Sequence, residues 1–308
     1  MELITGENDK GRRLDRILRK ALADHPLPLL HRLLRQGKVL VNGKPAKAQD
    51  RIDSGVKISI PLKDAEKPSL FASRLPSPEI IWQGRGLLAV NKPAGVAVHG
   101  LTTCHTNGQA SPSLDAMVRF FLEEKLPPSL SFRPGPLHRL DKPSSGIVVF
   151  SASIEGARLF SSLMRERKVR KTYLAIVEGN VEKEEIWEDL LVRDKDKKKT
   201  FISDVVSGGG KTAITKIKPL AAASVKGTQY NLVTAEIATG RTHQIRAQAA
   251  SHGRPLAGDR KYGGREKDGF FLHAWKLEFL EFSIEAPLPQ AFREKITTLF
   301  GEIVLQYA

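Results

Sequence analysis

The chain has 308 residues, with 49 lysines and arginines against 34 aspartates and glutamates, and its formal net charge is +15. This length suits about two domains, and the single cysteine, Cys104, excludes both a disulfide framework and a cysteine-based zinc site. The positive charge favours a polyanionic partner, above all a nucleic acid.

An anionic membrane surface is the second polyanion that could attract such a chain. No apolar stretch approaches the roughly 18 residues that a membrane helix needs, and the N-terminus lacks the apolar core of a signal peptide. A lipidation motif and a basic amphipathic anchor are also missing from the sequence. We therefore expect a soluble protein of the reducing cytoplasm that binds nucleic acid and no membrane.

Residues 1–60 predict a small, strongly basic domain. Apolar residues recur at helical spacing from Leu14 to Leu22, a second short helix spans about 29–35, and strands flank an Asn-Gly turn at 42–43. Between residues 12 and 60 there are 12 Lys/Arg against 4 Asp/Glu. A cationic helix face is usually just solvated, but a one-sided bias over two helices and a hairpin favours RNA binding. The residues assigned to RNA contact are Arg12, Arg13, Arg16, Arg32, Arg35 and Lys38.

Residues 61–79 are rich in Pro, Ser and Lys and predict a linker that lets the small domain dock RNA semi-independently. Residues 80–308 form the predicted second domain. Its apolar patterns predict strands at 80–82, 87–90, 147–150, 173–177 and 230–238, and helices at 114–125, 154–168 and 242–251. Because strands outnumber the helices and hairpin signals such as Gly208–Gly210 occur, we predict an α+β fold with a mixed, largely antiparallel sheet.

One aspartate stands out in the second domain. Asp141 lies in a polar turn, after Arg139 and before Ser144-Ser145-Gly146, where a buried strand begins. A carboxylate beside cationic groups stays ionised and can serve as a nucleophile or a base. Taken alone, an Asp in a polar turn is more often a structural turn residue.

Four segments together resemble the RluA class of RNA pseudouridine synthases. They are Asn91-Lys92-Pro93-Ala94-Gly95, His138-Arg139-Leu140-Asp141 with Ser144-Ser145-Gly146, Arg170-Lys171-Thr172-Tyr173-Leu174-Ala175, and Thr239-Gly240-Arg241-Thr242-His243-Gln244-Ile245-Arg246. The resemblance covers the chain from about Pro78 onwards. The N-terminal part resembles the small RNA-binding module first described in ribosomal protein S-four.

The resemblance implies an isomerase that breaks the N-glycosidic bond of uridine and rejoins the base through C5, without a cofactor. It implies catalysis by Asp141, an ion pair between Asp141 and Arg246, and a Tyr173 ring against the uracil. Without the resemblance, Arg246 reads as an ordinary helix-surface arginine and Tyr173 as plain core. Whether Asp141 attacks C1′, attacks the pyrimidine ring or removes a ribose proton is left open.

A uridine in folded RNA must leave its base stack to be modified, so a side chain has to fill the gap. Arg139 is the candidate, although a salt bridge to Asp141 or a contact with the backbone is its alternative role. Arg241 could hold a phosphate or cap neighbouring carbonyls. His138 is placed with the substrate-binding residues, although shaping the turn is its stronger interpretation.

The eight histidines are scattered without metal-binding spacing, so we predict no metal. Ser144 and Gln248 depart from the family pattern, which often has threonine and histidine there, and the polar loop 101–113 replaces a compact turn.

The expected partner is RNA, ribosomal rather than transfer RNA by analogy, and we expect a monomer without a protein partner. The competing classes are a non-catalytic RNA-binding factor and, less favoured, a nucleic-acid hydrolase, for which carboxylate clusters are missing.

Overall fold

The computed structural model describes residues 1–62, 75–100, 102–103, 110–123, 125–194, 196–203, 209–265 and 269–302. Most of the predicted linker and of the polar loop 101–113, including Cys104, lies outside these ranges. None of the helices in the described part of the chain is both long and apolar enough to cross a membrane.

The N-terminal part of the chain packs two helices against short strands: β1 (Glu2–Ile4), β2 (Arg12–Arg13), α1 (Leu14–Ala21), α2 (Leu27–Arg35), β3 (Leu40–Val41), β4 (Lys44–Pro45), β5 (Arg51–Ile52) and β6 (Lys57–Ser59). Strands β1, β6, β3 and β4 form one antiparallel sheet, in that order. Asn42 and Gly43 both have positive φ (48° and 80°), as a tight hairpin turn between β3 and β4 requires. The predicted hairpin is therefore present.

The apolar side of α1 and α2 forms the core of this part. Leu14, Ile17 and Leu18 of α1 are fully buried, and they pack with Leu30, Leu33 and Leu34 of α2 and with Ile58 of β6. The basic residues of both helices are left on the outer faces. The helical spacing of these leucines is the signal that predicted both helices.

The rest of the chain is built around an eleven-stranded sheet. Its elements, in chain order, are β7 (Glu79–Gly84), β8 (Leu87–Lys92), β9 (Thr102–Thr103), β10 (Ala110–Ser111), α3 (Leu114–Glu123), β11 (Gly135–Pro136), β12 (Ser145–Ser151), α4 (Ile154–Arg165), β13 (Arg170–Glu178), β14 (Glu185–Asp194), β15 (Lys199–Ile202), β16 (Lys211–Val225), β17 (Thr228–Ile237), α5 (Gln244–Ser251), β18 (Leu272–Phe279), β19 (Phe282–Glu285) and α6 (Gln290–Phe300).

The main path of the sheet runs β15-β14-β16-β17-β13-β18-β12-β8-β7, with β11 beside β12 and β19 beside β18. Strand β12 pairs with β18 in parallel, and the other strand pairs are antiparallel. The α+β class and the mixed, largely antiparallel sheet are therefore confirmed. Apolar clusters lie on both faces of the sheet and bury most residues of the central strands.

The hairpin inferred from Gly208–Gly210 is wrong. Strands β15 and β16, which precede and follow this segment, pair with opposite sides of β14 and not with each other. The tight turn that joins β16 to β17 is at Lys226 and Gly227. Because both strands are antiparallel to β14, they run in the same direction, and the glycines do not mark a reversal of the chain.

The N-terminal part is fixed to the rest of the chain by a buried carboxylate. Asp9 is 0% exposed and accepts hydrogen bonds from the backbone amides of Leu130 (2.9 Å) and Ser131 (2.9 Å) and from the hydroxyls of Ser129 (2.8 Å) and Ser131. Burial acts to raise the pKa of Asp9, but these hydrogen bonds and one from Gly6 outweigh it and lower the pKa. Such contacts are at odds with semi-independent docking of the small domain, while the boundary at residue 60 stays a prediction.

The buried side chain of His273 on β18, which contacts Ser145 of β12, makes the stability of the fold depend on pH. It is 0% exposed, its Nε2 lies 3.2 Å from the carbonyl of Ala286, and its Nδ1 lies 2.8 Å from the Ser145 hydroxyl. Because a carbonyl only accepts, Nε2 carries the proton and Nδ1 accepts from Ser145. Burial lowers the pKa of His273 to about 4, so the folded protein holds this ring neutral.

We expect stability to fall as the pH drops from about 6.5, the pKa of a histidine in an unfolded chain, towards 4. In that window the histidine is protonated in the unfolded chain but stays neutral in the folded protein. The free energy of unfolding therefore falls by up to about 1.4 kcal/mol per pH unit. Urea unfolding at a series of pH values measures this slope. His273→Asn should flatten it, whereas the exposed His31→Gln should not; equal slopes in both variants would contradict the assignment.

Candidate active site

Asp141 sits in a short turn whose shape is fixed by backbone contacts. The amide of Ser144 donates to the carbonyl of Asp141 (3.1 Å), and strand β12 begins at the next residue. Gly146 has φ +106°, and a Cβ there would lie 2.3 Å from the carbonyl oxygen of Ala274 on β18. Only glycine permits this close parallel pairing, which anchors the end of the Asp141 turn to the sheet.

Lys92 ties the Asn91–Gly95 segment to the same turn. Its side chain is 0% exposed, and its ammonium donates to the carbonyls of Pro93 (2.8 Å), Val96 (2.7 Å) and Lys142 (3.1 Å). Burial lowers the pKa of Lys92 to about 8, although the nearby negative charge of Asp141 acts in the opposite direction. The buried lysine therefore holds the residue that follows Asp141 and places a positive charge behind the turn.

Arg246 on α5 pairs with two carboxylates at once. Its Nη1 donates to Oδ2 of Asp141 (3.0 Å), while Nε and Nη2 donate to Oδ2 and Oδ1 of Asp259 (2.6 and 2.9 Å). The Asp259 pair is bidentate and almost fully buried, so it fixes the guanidinium in one orientation. Burial acts to lower the pKa of Arg246, but Asp259 first and Asp141 second outweigh it and raise the pKa.

This arrangement leaves one oxygen of Asp141 available. Arg246 engages Oδ2, and Oδ1 accepts no hydrogen bond from the residues that the structure describes. The side chain is 16% exposed, so a ligand in the adjacent pocket can reach it. A carboxylate with a fixed rotamer, one neutralised oxygen and one free oxygen is suited to act as a nucleophile or a base.

The pocket beside Asp141 is lined by both apolar and polar side chains. Its apolar lining includes Leu140, Tyr173, Ile237 and Leu272, and its polar lining includes Arg139, Asp141, Arg241, His243 and Arg246. Tyr173 is 8% exposed and begins the buried part of β13. Burial, with a smaller contribution from Asp141, raises the pKa of its hydroxyl, which therefore stays protonated. Within the described residues this hydroxyl has no hydrogen-bond partner, so it is a free polar group in the pocket.

His243 forms a second contact with the carboxylate, and Tyr262 bonds the other ring nitrogen of His243. His243 Nε2 lies 3.7 Å from Asp141 Oδ2, and His243 Nδ1 lies 2.9 Å from the hydroxyl of Tyr262. The backbone of His243 is left-handed (φ 55°), which turns the chain into α5 and brings the ring to the pocket. Burial lowers the pKa of His243, Asp141 opposes this effect, and nearby cations such as Arg246 add to it.

The substrate-binding residues expected from the sequence occupy three different environments. Arg139 is exposed, lines the pocket and makes no ion pair with the described residues, so its alternative role as a partner of Asp141 is not seen. Arg241 also lines the pocket, and its Nε donates to the carbonyl of Thr212 (3.0 Å). Both arginines are placed where they could contact RNA.

His138 points away from the pocket. Its Nε2 accepts the amide hydrogen of Val149 (3.1 Å), and its ring stacks on Phe160 of α4 at 6.1 Å between centroids. Burial, followed by the charge of Lys171, lowers the pKa of His138 to about 3, so the ring is neutral. This placement supports the turn-shaping role; a direct substrate contact stays a prediction.

The basic residues expected to bind RNA fall into two groups. Arg12, Arg13 and Arg16 lie on β2 and α1 and face a cleft next to α4. Arg32, Arg35 and Lys38 are exposed on and after α2, outside that cleft. The structure thus brings together only the first group with residues from the rest of the chain.

The two positions that depart from the family pattern lie in different surroundings. Ser144 lines the pocket and is 2% exposed. Gln248 lies on the buried side of α5 and is 0% exposed; its side chain forms hydrogen bonds with Thr215 (2.6 Å), Asp189 (2.6 Å) and the carbonyl of Trp187 (3.1 Å). The glutamine is therefore part of a buried polar network and does not border the pocket.

Lys92, His243, Asp259 and Tyr262 are site residues that sequence reasoning did not assign a role. Lys92 was visible in a recognised segment, but nothing in the sequence showed that its side chain turns inward. Asp259 follows Gly258 in an irregular stretch without apolar periodicity, 13 residues after its partner Arg246. Among the described residues, no group of three or more His, Cys, Asp or Glu is arranged to hold a metal ion.

Comparison with known proteins is consistent with this site. A model of the family described as RNA pseudouridylate synthase matches residues 86–251, and the S4 domain model matches residues 12–58. The chain therefore belongs to the RNA pseudouridylate synthase family, whose members are isomerases that convert uridine to pseudouridine in RNA. Its N-terminal part is an S4 domain.

Curated relatives cover nearly the whole chain. Ribosomal large subunit pseudouridine synthase C of Vibrio vulnificus is 31% identical, with 92% of this chain and 89% of the relative covered. The protein of the same name from Vibrio cholerae is 30% identical over 95% of both chains. Uncharacterized RNA pseudouridine synthase YlyB of Bacillus subtilis is 29% identical, with 97% and 98% covered.

A solved structure shares the fold. Human RNA Pseudouridylate Synthase Domain Containing 4 aligns with a TM-score of 0.57 at 20% identity, and the alignment covers 71% of this chain and 91% of that one.

Proposed function

We propose that the protein isomerises specific uridines of large-subunit ribosomal RNA and that Asp141, Tyr173 and Arg246 are its catalytic residues. The single observation that carries this assignment is the buried Asp259–Arg246–Asp141 arrangement at the edge of a half-apolar pocket. The ribosomal substrate is taken from the names of the curated relatives. The protein would then act in the cytoplasm, and we propose that it does so as a monomer without a protein partner.

The reaction needs one carboxylate and no added reagent. The bond between C1′ and N1 breaks, the uracil turns, a bond forms between C1′ and C5, the C5 proton leaves and N1 gains a proton. Positive character develops on the ribose when the bond breaks, and the ionised Asp141 stabilises it or adds to the substrate directly. Departing uracil carries negative charge, which cationic residues at the pocket can stabilise.

The remaining pocket residues would orient the base. Tyr173 offers a ring face for stacking and a hydroxyl without a partner among the described residues, which suits a planar base with polar edges. Arg139 is exposed at the pocket mouth, where its guanidinium can enter the gap left by the flipped uridine. Arg241 would hold a phosphate, and His138 would support the turn that carries Asp141.

Pseudouridine mapping tests the substrate. Large-subunit ribosomal RNA from cells that lack the gene should lose one or a few pseudouridines, and expression of the wild-type gene should restore them. Expression of Asp141→Asn should not. If the ribosomal sites are unchanged and sites in transfer RNA disappear, the enzyme class stands and the proposed substrate is wrong.

A further inference from the structure

A basic cleft of about 740 Å³ separates the S4 domain from helix α4 of the sheet-containing part. Fifteen residues line it, and eight of them are Lys or Arg, whereas none of these described residues is Asp or Glu. The cleft is therefore a concentrated positive surface, distinct from the pocket beside Asp141.

Two cationic stripes face this cleft from different parts of the chain. On the S4 side, Arg16 and Lys20 lie four residues apart on one face of α1, and Arg13 immediately precedes this helix. On the other side, Arg158 and Arg165 lie seven residues apart on α4, with Ser161 between them on the same face. Helical spacing makes each set one continuous stripe, because residues three, four and seven apart share a helix face.

The opposite faces of both helices are buried, so the stripes cannot turn away from the cleft. Phe160 and Leu163 of α4 pack into one core, and Leu14, Ile17 and Leu18 of α1 pack into another.

The two helices are also held in fixed register by the contacts around Asp9. The Asn8 side chain accepts the amide hydrogen of Ile154, the first residue of α4 (3.0 Å), and Arg12 donates to the Ser131 hydroxyl (3.0 Å). Gly6 approaches so closely that a Cβ would lie 1.8 Å from the carbonyl oxygen of Pro128. The cleft is thus a preformed feature of the fold.

The cations of the cleft are incompletely neutralised by the protein itself. Arg13 pairs with Asp15, but Arg16, Lys20 and Arg158 form no ion pair within the described part of the chain. Burial lowers the pKa of Arg12, the Asp9 carboxylate opposes this effect, and the positive charges of Arg158 and Arg16 lower it further. Like charges held close together are unfavourable, and a bound polyanion relieves the repulsion.

We propose that this cleft binds the phosphate backbone of the substrate RNA and that Arg158 and Arg165 of α4 supply part of the binding surface. This inference rests on the proposed function, which makes RNA the substrate, and it extends RNA contact beyond the S4 domain. A double row of arginines and lysines fits the regularly spaced charges of a nucleic-acid backbone and carries no base readout.

The distance between the cleft and the pocket beside Asp141 determines how long an RNA must be to occupy both. Ser144 borders the pocket beside Asp141, and Ser151, at the other end of β12, borders the cleft. At about 3.3 Å per strand residue, the two sites are roughly 20 Å apart. An RNA that occupies both must therefore extend well beyond the nucleotides that surround the target uridine.

The test uses the full chain and the double variant Arg158→Ala/Arg165→Ala. Both side chains are exposed, so the fold should be unaffected. Arg85→Ala/Arg119→Ala is the matched control, because it removes two exposed arginines that are paired with Glu281 and Asp115 outside the cleft. Binding to a labelled transcript of large-subunit ribosomal RNA is measured by anisotropy as a function of salt concentration.

We expect the cleft variant to bind the transcript about tenfold or more weakly than wild type at 0.1 M salt. Each lost phosphate contact should reduce the slope of log K against log salt by about 0.7–0.9, so the slope should fall by about 1.4–1.8. The control should change neither quantity. Isomerisation of a stem-loop trimmed around the mapped uridine should be equal in all three proteins, because that RNA does not reach the cleft.

Two results would overturn the proposal. One is a cleft variant whose affinity and salt slope match those of the control. The other is a loss of binding to vesicles that contain anionic phospholipid with RNA binding unchanged, which would make the cleft a membrane contact. If the cleft variant loses RNA affinity as expected but the wild type isomerises no uridine in any RNA, the cleft proposal stands and the proposed function fails.

Discussion

Asp141→Asn is expected to abolish isomerisation while RNA binding is nearly retained. Replacing one carboxylate oxygen by an amide removes the negative charge that the reaction needs, but it leaves the dispersed cationic contacts that provide affinity. The Asn side chain can still accept from Arg246, so the pocket should keep its shape. Release of tritium from C5-labelled uridine in RNA measures the reaction, and anisotropy measures binding.

Asp115→Asn is a matched control for this substitution. Asp115 has a side-chain exposure of 15%, close to the 16% of Asp141, and it also accepts from an arginine at 3.0 Å, but it lies on α3 outside the pocket. The control should isomerise at the wild-type rate. Full turnover by Asp141→Asn would rule out the carboxylate mechanism.

The elements that the sequence predicted are those with a continuous apolar run or a clear apolar period. Strand β12 is buried along its whole length, and α4 buries Phe160 and Leu163 on one face, so both follow from hydrophobicity alone. Strand β16 was not predicted because Ile217 is the one large apolar side chain among its buried residues Ala213, Thr215 and Ile217, and because Pro219 lies within the strand, next to a register shift. Helix α6 was missed because it buries little besides Phe292 and Ile296.

The site was predictable to the extent that its residues lie in recognised segments. Asp141 and Arg246 are 105 residues apart, and no local pattern shows that they meet; the family resemblance supplied that pairing. Asp259 could not be found in this way, because an acidic residue after a glycine carries no periodic signal. Arg158 and Arg165 were assigned no role from the sequence, since helical spacing defines a face but not what lies opposite.

The second large effect is expected for Arg246→Lys. Arg246 makes three hydrogen bonds in a fixed plane, two to Asp259 and one to Asp141, and a lysine ammonium cannot reproduce a bidentate pair and the third contact together. A transition-state contact weakened by about 1.4 kcal/mol already lowers the rate tenfold. We therefore expect single-turnover isomerisation to slow by about tenfold or more, with little change in RNA affinity.

Arg254→Lys is the matched control, because Arg254 pairs with Glu185 at a partly buried position away from the pocket. It should isomerise as fast as wild type, so that a slow Arg246→Lys enzyme cannot be attributed to an Arg-to-Lys change in general.

The hydrogen bonds between Arg246 and Asp259 lead to a more specific expectation for the same step. If Asp259 fixes the guanidinium that in turn fixes Asp141, Asp259→Asn should slow the same step, and adding it to Arg246→Lys should cost less than the sum of the two. If Arg246→Lys instead weakens RNA binding and leaves single-turnover isomerisation unchanged, Arg246 is a phosphate contact and its role as the partner of Asp141 is wrong.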